Sequence, residues 1–349
     1  MIILAKIKEF LKRKDIVLSA KRYGIDALGA MAQGLFCSLL VGTIIKTLGE
    51  RIGFPFLVEV GTFASAMSGA AMAVAIGYAL KAPALVLFSL ATVGYAANSL
   101  GGAGGPLAVL IIAIVAAEFG KAVSKETKID ILVTPIVTIL IGVGLAALIA
   151  KPIGDAASAV GNFIKWATEL QPLLMGILVS VVVGIALTLP ISSAAICAAL
   201  GLTGLAGGAA VAGCCAQMVG FAVMSFRENR WGGLVAQGVG TSMLQMPNIV
   251  KNPRIWIPPI VASAITGPLA TCLFKLEMNG APVSSGMGTC GFVGQIGVIT
   301  GWADKTVTAM DWAGLLLICF VLPAVLTWLI SLPLRKWGWI KENDLKLDL

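Results

Sequence analysis

The chain has 349 residues and a net charge of +8; 58% of its residues are apolar and 12% charged, with a mean hydropathy of +0.96. Soluble domains carry about 25% charged residues, so a soluble catalytic domain is excluded, and any activity sits within a bilayer or is completed by another chain. Histidine is absent, which removes histidine metal sites, histidine acid–base catalysis and histidine phosphorylation.

Residues 1–25 carry Lys6, Lys8, Lys12, Arg13, Lys14, Lys21 and Arg22 against Glu9 and Asp15. Positive charge beside a first span marks the cytoplasmic side, so the charge points to a membrane and not to nucleic acid. With Ile2, Ile3, Ile7, Phe10 and Leu11 as apolar positions, this segment is expected to lie as an amphipathic helix against membrane lipid. Apolar stretches near the roughly 20 residues that cross the hydrocarbon follow at 26–48, 57–80, 83–99, 105–120 and 131–150. In the second of them Gly61, Ser65, Gly69 and Ala73 recur every four residues. That spacing lets helices approach closely, within the protomer or across a homodimer. "GGAGG" at 101–105 has no following lysine and reads as a tight turn, not a phosphate loop. The connector 121–130, with Lys121, Lys125 and Lys128, suits the cytoplasm. Residues 26–150 read as a scaffold and dimerisation half, and 151–170, with Lys151, Asp155, Lys165 and Glu169, as an amphipathic linker.

The second half, 171–334, is less regular. Segments 171–189, 206–226, 255–275 and 311–332 read as full spans; 190–205, 231–248 and 280–302 are short and interrupted by glycine or proline. Arg335 and Lys336 follow the last span, so the tail 335–349 and both termini are expected in the cytoplasm. The fold class expected is an all-α integral membrane protein of about ten transmembrane helices, with re-entrant or broken segments in its C-terminal half. The cysteines Cys37, Cys197, Cys214, Cys215, Cys272, Cys290 and Cys319 show no metal-ligand spacing and read as small apolar residues. No metal and no cofactor is expected.

Two broken segments echo one another. Pro190-Ile191-Ser192-Ser193 precedes Cys197 and Gly201; Pro282-Val283-Ser284-Ser285 precedes Cys290 and Gly294. Irregular backbone at membrane depth survives only when buried in protein or facing a water-filled cavity. Transporters use such segments to direct helix ends and bare carbonyls at a substrate.

The third irregular stretch is "GVGTSMLQMPNIVKNPRIWIPPIV", residues 238–261. Its Ile249-Val250-Lys251-Asn252-Pro253, with Ile257-Pro258 after it, resembles the sugar-translocating IIC components of the bacterial phosphoenolpyruvate-dependent phosphotransferase system. The span count and broken C-terminal half are similar to the small stand-alone IIC-like branch, which includes perfringolysin-regulator-like proteins. The resemblance implies a bacterial inner-membrane permease, dimeric, served by separate cytoplasmic IIA and IIB phosphocarriers. It also implies a glutamate, at the sugar hydroxyl being phosphorylated, where this chain has Thr241, and a proline where it has Ser242. A threonine hydroxyl is a poor proton acceptor beside a carboxylate, so no catalytic residue is assigned and phosphorylation-coupled transport is in question.

Neutral donors and acceptors suit a sugar or polyol. The substrate-binding candidates are Thr241, Ser242, Gln245 and Asn248, with Ser192, Ser193, Ser284 and Ser285 from the echoed segments. Asn252 and Pro253 are expected to be structural, starting the helix that follows. Arg227, Glu228, Arg230, Lys251 and Arg254 read as a cytoplasmic loop, or as a docking surface for an acidic or phosphorylated carrier. Two functions follow: a permease for a small polar, carbohydrate-type substrate, and a membrane sensor or regulator that keeps the fold without the transport chemistry. An ion-driven carrier is weaker, for lack of a buried carboxylate pair.

Overall fold

The computed structural model describes residues 2–303 and 306–347, with side chains from Lys8 onwards; the side chains of Ile2, Ile3, Lys6 and Ile7 lie outside the described residues. Regular structure among the described residues is helical. Among the described residues six stretches are long and apolar enough to cross a membrane: Arg22–Ile52, Ala84–Val123, Asp130–Thr168, Gly204–Met224, Pro253–Leu273 and Ala309–Lys336. A seventh arises if Pro55–Ala66 and Ser68–Ala79, bent by 49°, form one span. This is an all-α multi-pass membrane protein, in which every backbone polar group within the hydrocarbon must be paired internally.

The 40 residues of Ala84–Val123 would make a straight helix of about 60 Å, twice the hydrocarbon thickness. They do not run straight. Gly102, at φ 49° and ψ −121°, turns the chain within the "GGAGG" run, and Ala84–Gly101 packs along Gly105–Val123. The expected span 57–80 is likewise interrupted, at Met67 (φ −85°, ψ 6°). No proline causes the break; it falls in a run of small residues, and beyond it Gly69 seats on Gly94. A Cβ on either glycine would lie within 2.4 Å of the other's carbonyl oxygen, so these helices touch backbone to backbone. The small-residue stripe therefore does not run along one straight helix.

The chain divides into two compact units, Met1–Leu39 with Phe63–Asp155, and Leu40–Thr62 with Ala156–Leu349. In the first unit a buried charge network ties the N-terminal segment to the connector after Val123. Lys121, 2% exposed, donates from Nζ to the carbonyls of Asp15 (2.7 Å) and Leu80 (3.0 Å) and pairs with Glu118 at 3.0 Å. Tyr23 donates to the other oxygen of Glu118 at 3.0 Å. Arg22 forks onto Asp15 at 2.7 and 3.2 Å, and both Arg13 and Lys14 pair with Glu126. The guanidinium of Arg22 holds the Asp15 carboxyl below the usual aspartate range. A lysine this buried is tolerated because its ammonium donates to two carbonyls and has the Glu118 carboxylate as counter-charge 3.0 Å away.

The second unit is built around Gly204–Met224, the most buried of the spans, which packs against Pro172–Thr188, Pro253–Leu273 and Ala309–Lys336. Its sequence, rich in Gly, Ala and Cys, leaves no bulk between backbones. A Cβ on Gly213 would stand 1.8 Å from the Ser180 carbonyl oxygen. Without a hydrophobic driving force between helices in lipid, such close packing is the main source of cohesion. The cysteines are free thiols; Cys214 and Cys215 are fully buried here as small core residues.

The echoed segments are short. Ser193–Leu200 has 8 residues, about 12 Å of helix and well under the hydrocarbon thickness. Ser192 caps it by accepting from Ala195 N at 3.2 Å, and Gly201 ends it at φ 61°. The partner segment forms 3-10 turns at Pro282–Gly286 and Cys290–Phe292, then the helix Val293–Thr300. The two pack together reciprocally: Ser193 donates to the Gly286 carbonyl and Ser285 to the Leu202 carbonyl, each at 2.7 Å.

Candidate functional site

The run 236–252 breaks the second unit's helices and carries the central candidates. Gly240 ends one helical turn; Thr241, in extended backbone (φ −158°, ψ 145°), caps the 3-10 turn Ser242–Gln245 by accepting from Met243 N at 3.1 Å. Pro247 then opens the short helix Met246–Lys251. This geometry projects two rows of neutral polar groups into protein.

The first row starts at Ser242. Its hydroxyl shares a 2.7 Å hydrogen bond with Thr188, which also donates to Gln217 Oε1 at 3.3 Å. Trp256 Nε1 donates to the same Gln217 oxygen at 2.8 Å, and Gln217 Nε2 reaches Ser263 at 3.4 Å. Thr188, Gln217, Ser242 and Ser263 are fully buried. Four helical segments thus meet on one uncharged hydroxyl–amide chain.

The second row is made of amides. Gln237 donates to Ser225 and to the Gly233 carbonyl; Gln245 donates to Gln237 Oε1 and accepts from Asn248, all at 2.9 Å. What the row holds is the chain's own C-terminal segment. Gln245 and Asn229 both donate to the Leu345 carbonyl, at 2.9 and 2.8 Å, and Asn248 donates to the Lys346 carbonyl at 2.8 Å. Asn252 donates to the Trp339 carbonyl (2.8 Å) and to Asp344 Oδ2 (2.7 Å), while its oxygen caps Pro253–Trp256 by accepting from Arg254 N. Arg254 lies over the Trp339 ring, 5.2 Å from its centroid. Leu345 is fully buried and Ile340 is 2% exposed.

The structure therefore brings Thr241, Ser242, Gln245 and Asn248 together, and each already has an intramolecular partner. Ser192, Ser193 and Ser285 are engaged where the echoed segments meet, with Ser284 buried beside them. Among the buried amides Gln295 is the least satisfied: Nε2 meets only Cys215 Sγ at 3.2 Å, and Oε1 has no partner. Trp256, which completes the hydroxyl row with the neutral amide of Gln217, was not singled out by the sequence reading. The tail's role was missed as well; its signal is weak, scattered apolar residues such as Ile340 and Leu345 spaced through a charged stretch.

The chain matches the family described as "Phosphotransferase system, EIIC" over residues 25–347. It belongs to that EIIC family. Comparison with curated proteins and with solved structures gives no match. The family match spans both compact units, so the EIIC assignment covers the polar rows and the tail that occupies one of them, and this EIIC chain presents Thr241 between Gly240 and Ser242 in its broken segment.

Proposed function

We propose that this EIIC protein is a membrane permease component that binds a small polar substrate of the sugar or polyol class in its second unit. The observation that carries the reading is the buried, uncharged chain Gln217–Thr188–Ser242, to which the half-buried Trp256 donates. Hydroxyls and amides with no compensating charge suit a ligand made of hydroxyl groups, and Gln295 offers an unpaired acceptor in the same unit. In this reading the second unit moves the substrate, the N-terminal helices act as scaffold and dimer contact, and separate IIA and IIB carriers serve it from the cytoplasm, where both termini lie. A count of about ten crossings is supported by the fold-back of Ala84–Val123 and by the shorter apolar helices Pro172–Thr188 and Cys290–Thr300, given the span length the bilayer demands.

A second reading is favoured by one observation. The amide row is filled by the tail, and Thr241 stands where a carboxylate is expected; a sensor that keeps the EIIC fold needs no free translocation path. Thermal stability of the purified protein against a panel of sugars and polyols separates the two. A ligand of the native state raises the melting temperature according to RT ln(1 + [L]/Kd). The permease reading expects a selective rise with one sugar class that is lost in Thr241→Ala or Ser242→Ala. No rise across the panel, in folded protein, rejects it in favour of the regulator.

A further inference from the structure

Beneath the tail lies a cavity of about 690 Å³ whose walls come from the turn after Met224, the end of the last span and the tail itself. Its charged lining comprises Arg227, Glu228, Arg335, Lys341, Glu342 and Lys346, an excess of two positive charges. Arg335 is committed, to Glu228 Oε1 at 2.9 Å and to the Met224 carbonyl at 3.0 Å. The side chains of Arg227, Lys341 and Lys346 have no hydrogen-bond or ion-pair partner among the described residues. Glu228 is the complement: its side chain is 4% exposed, and its second oxygen, Oε2, is buried with no donor. The backbone here is strained, with Arg230 at φ 51° and ψ −149°, a cost that persists only when the surroundings impose it.

Cations without anions beside a carboxylate oxygen without a donor specify a ligand by complementarity. The anion must be compact enough for several cations, and it must carry a hydroxyl for Glu228. An apolar hollow of about 250 Å³ adjoins the cavity, sharing Arg227 and Arg335 and otherwise lined by residues such as Trp328 and Leu332. We propose that this cavity binds a glycerophosphate group, phosphate on Arg227, Lys341 and Lys346 and a hydroxyl on Glu228. The group is either the headgroup of an anionic glycerophospholipid, whose chains would leave through the apolar hollow, or a soluble phosphorylated polyol. Basic pockets at the ends of transmembrane helices are suited to such headgroups. Because the tail supplies two of the three phosphate-binding cations, the bound group fastens the tail over the amide row. The proposal is independent of the substrate reading.

The test uses the full-length protein, delipidated in detergent, with melting temperature and calorimetric titration as readouts. Probes are phosphatidylglycerol, phosphatidylcholine, glycerol 3-phosphate and methyl phosphate. Phosphatidylglycerol but not phosphatidylcholine should bind, roughly ten- to a hundredfold more weakly in the triple variant Arg227→Ala/Lys341→Ala/Lys346→Ala. All three positions are exposed, so that variant should fold. Binding of glycerol 3-phosphate without phosphatidylglycerol supports the site and assigns it to a soluble ligand. Failure of both probes with folded protein, or undiminished binding in the triple variant, overturns the site. Methyl phosphate binding as tightly as glycerol 3-phosphate, or Glu228→Gln leaving both unchanged, overturns the hydroxyl contact.

Discussion

Gln245 Nε2 lies 2.9 Å from the backbone carbonyl of Leu345, one hundred residues further along the chain. The same carbonyl accepts from Asn229, whose own oxygen takes the Leu347 N–H at 2.8 Å. Side-chain amides thus treat the tail backbone as a bound strand, and its apolar anchor, Leu345, is fully buried. The tail is part of the second unit's structure.

Leu345→Asp places a carboxylate at that buried point, where it lacks a partner. The tail should then release, and limited proteolysis should cleave after Lys341 or Lys346 much faster than in the parent. Equal cleavage rates would show that the tail's hold does not depend on this residue.

Removing one donor is gentler. Gln245→Ala strips Gln237, Asn248 and Leu345 of a partner each, and an unsatisfied buried polar group costs about 1–3 kcal/mol. A lowered melting temperature is expected, with Gln237→Ala non-additive because both side chains belong to one network. Additive losses would mean that the two amides act separately.

The reciprocal serines of the echoed segments give a sharper comparison. Ser193→Ala and Ser285→Ala each orphan a carbonyl, at Gly286 and Leu202, for about 1–2 kcal/mol apiece. Thr62→Ala, whose exposed hydroxyl bonds only within its own helix, should change stability little. Similar effects at all three sites would deny the serine contacts a structural role.

Packing by small residues predicts a steric pair. Gly213→Ala drives a methyl into the Ser180 carbonyl and should destabilise by about 2 kcal/mol or more. Gly144, with nothing within 4 Å of an added Cβ, should accept alanine without loss. Thermal unfolding in detergent reads both.

In the first unit Asp15 titrates below its usual value because Arg22 binds its charged form. Its contribution is fully present above the unfolded value near 3.8 and is lost as pH falls through the lower folded value. Protease sensitivity of the N-terminal segment should therefore rise on acidification below about pH 4, and Asp15→Asn should show that sensitivity already at neutral pH. Lys121→Met, which leaves Glu118 without its buried counter-charge, should cost about 3–5 kcal/mol, read as a lowered melting temperature.

Hydropathy and the 249–258 motif determined the membrane class and the family by themselves, because crossing hydrocarbon and breaking a helix at Pro247 and Pro253 are demands met by neighbouring residues. The start at Asn252 was legible for the same reason: a side chain that bonds backbone two residues away leaves its mark in local sequence, whereas the cap that Thr241 makes was not read there. Partners far apart in the chain were not legible. That Gln217 and Trp256 join Ser242, that Gln245 holds Leu345, and that Glu228 keeps an unpaired oxygen beside Arg335 all depend on which helices come to lie together. Only the tertiary structure decided these, since a neutral amide in an apolar run carries no trace of the group that will satisfy it.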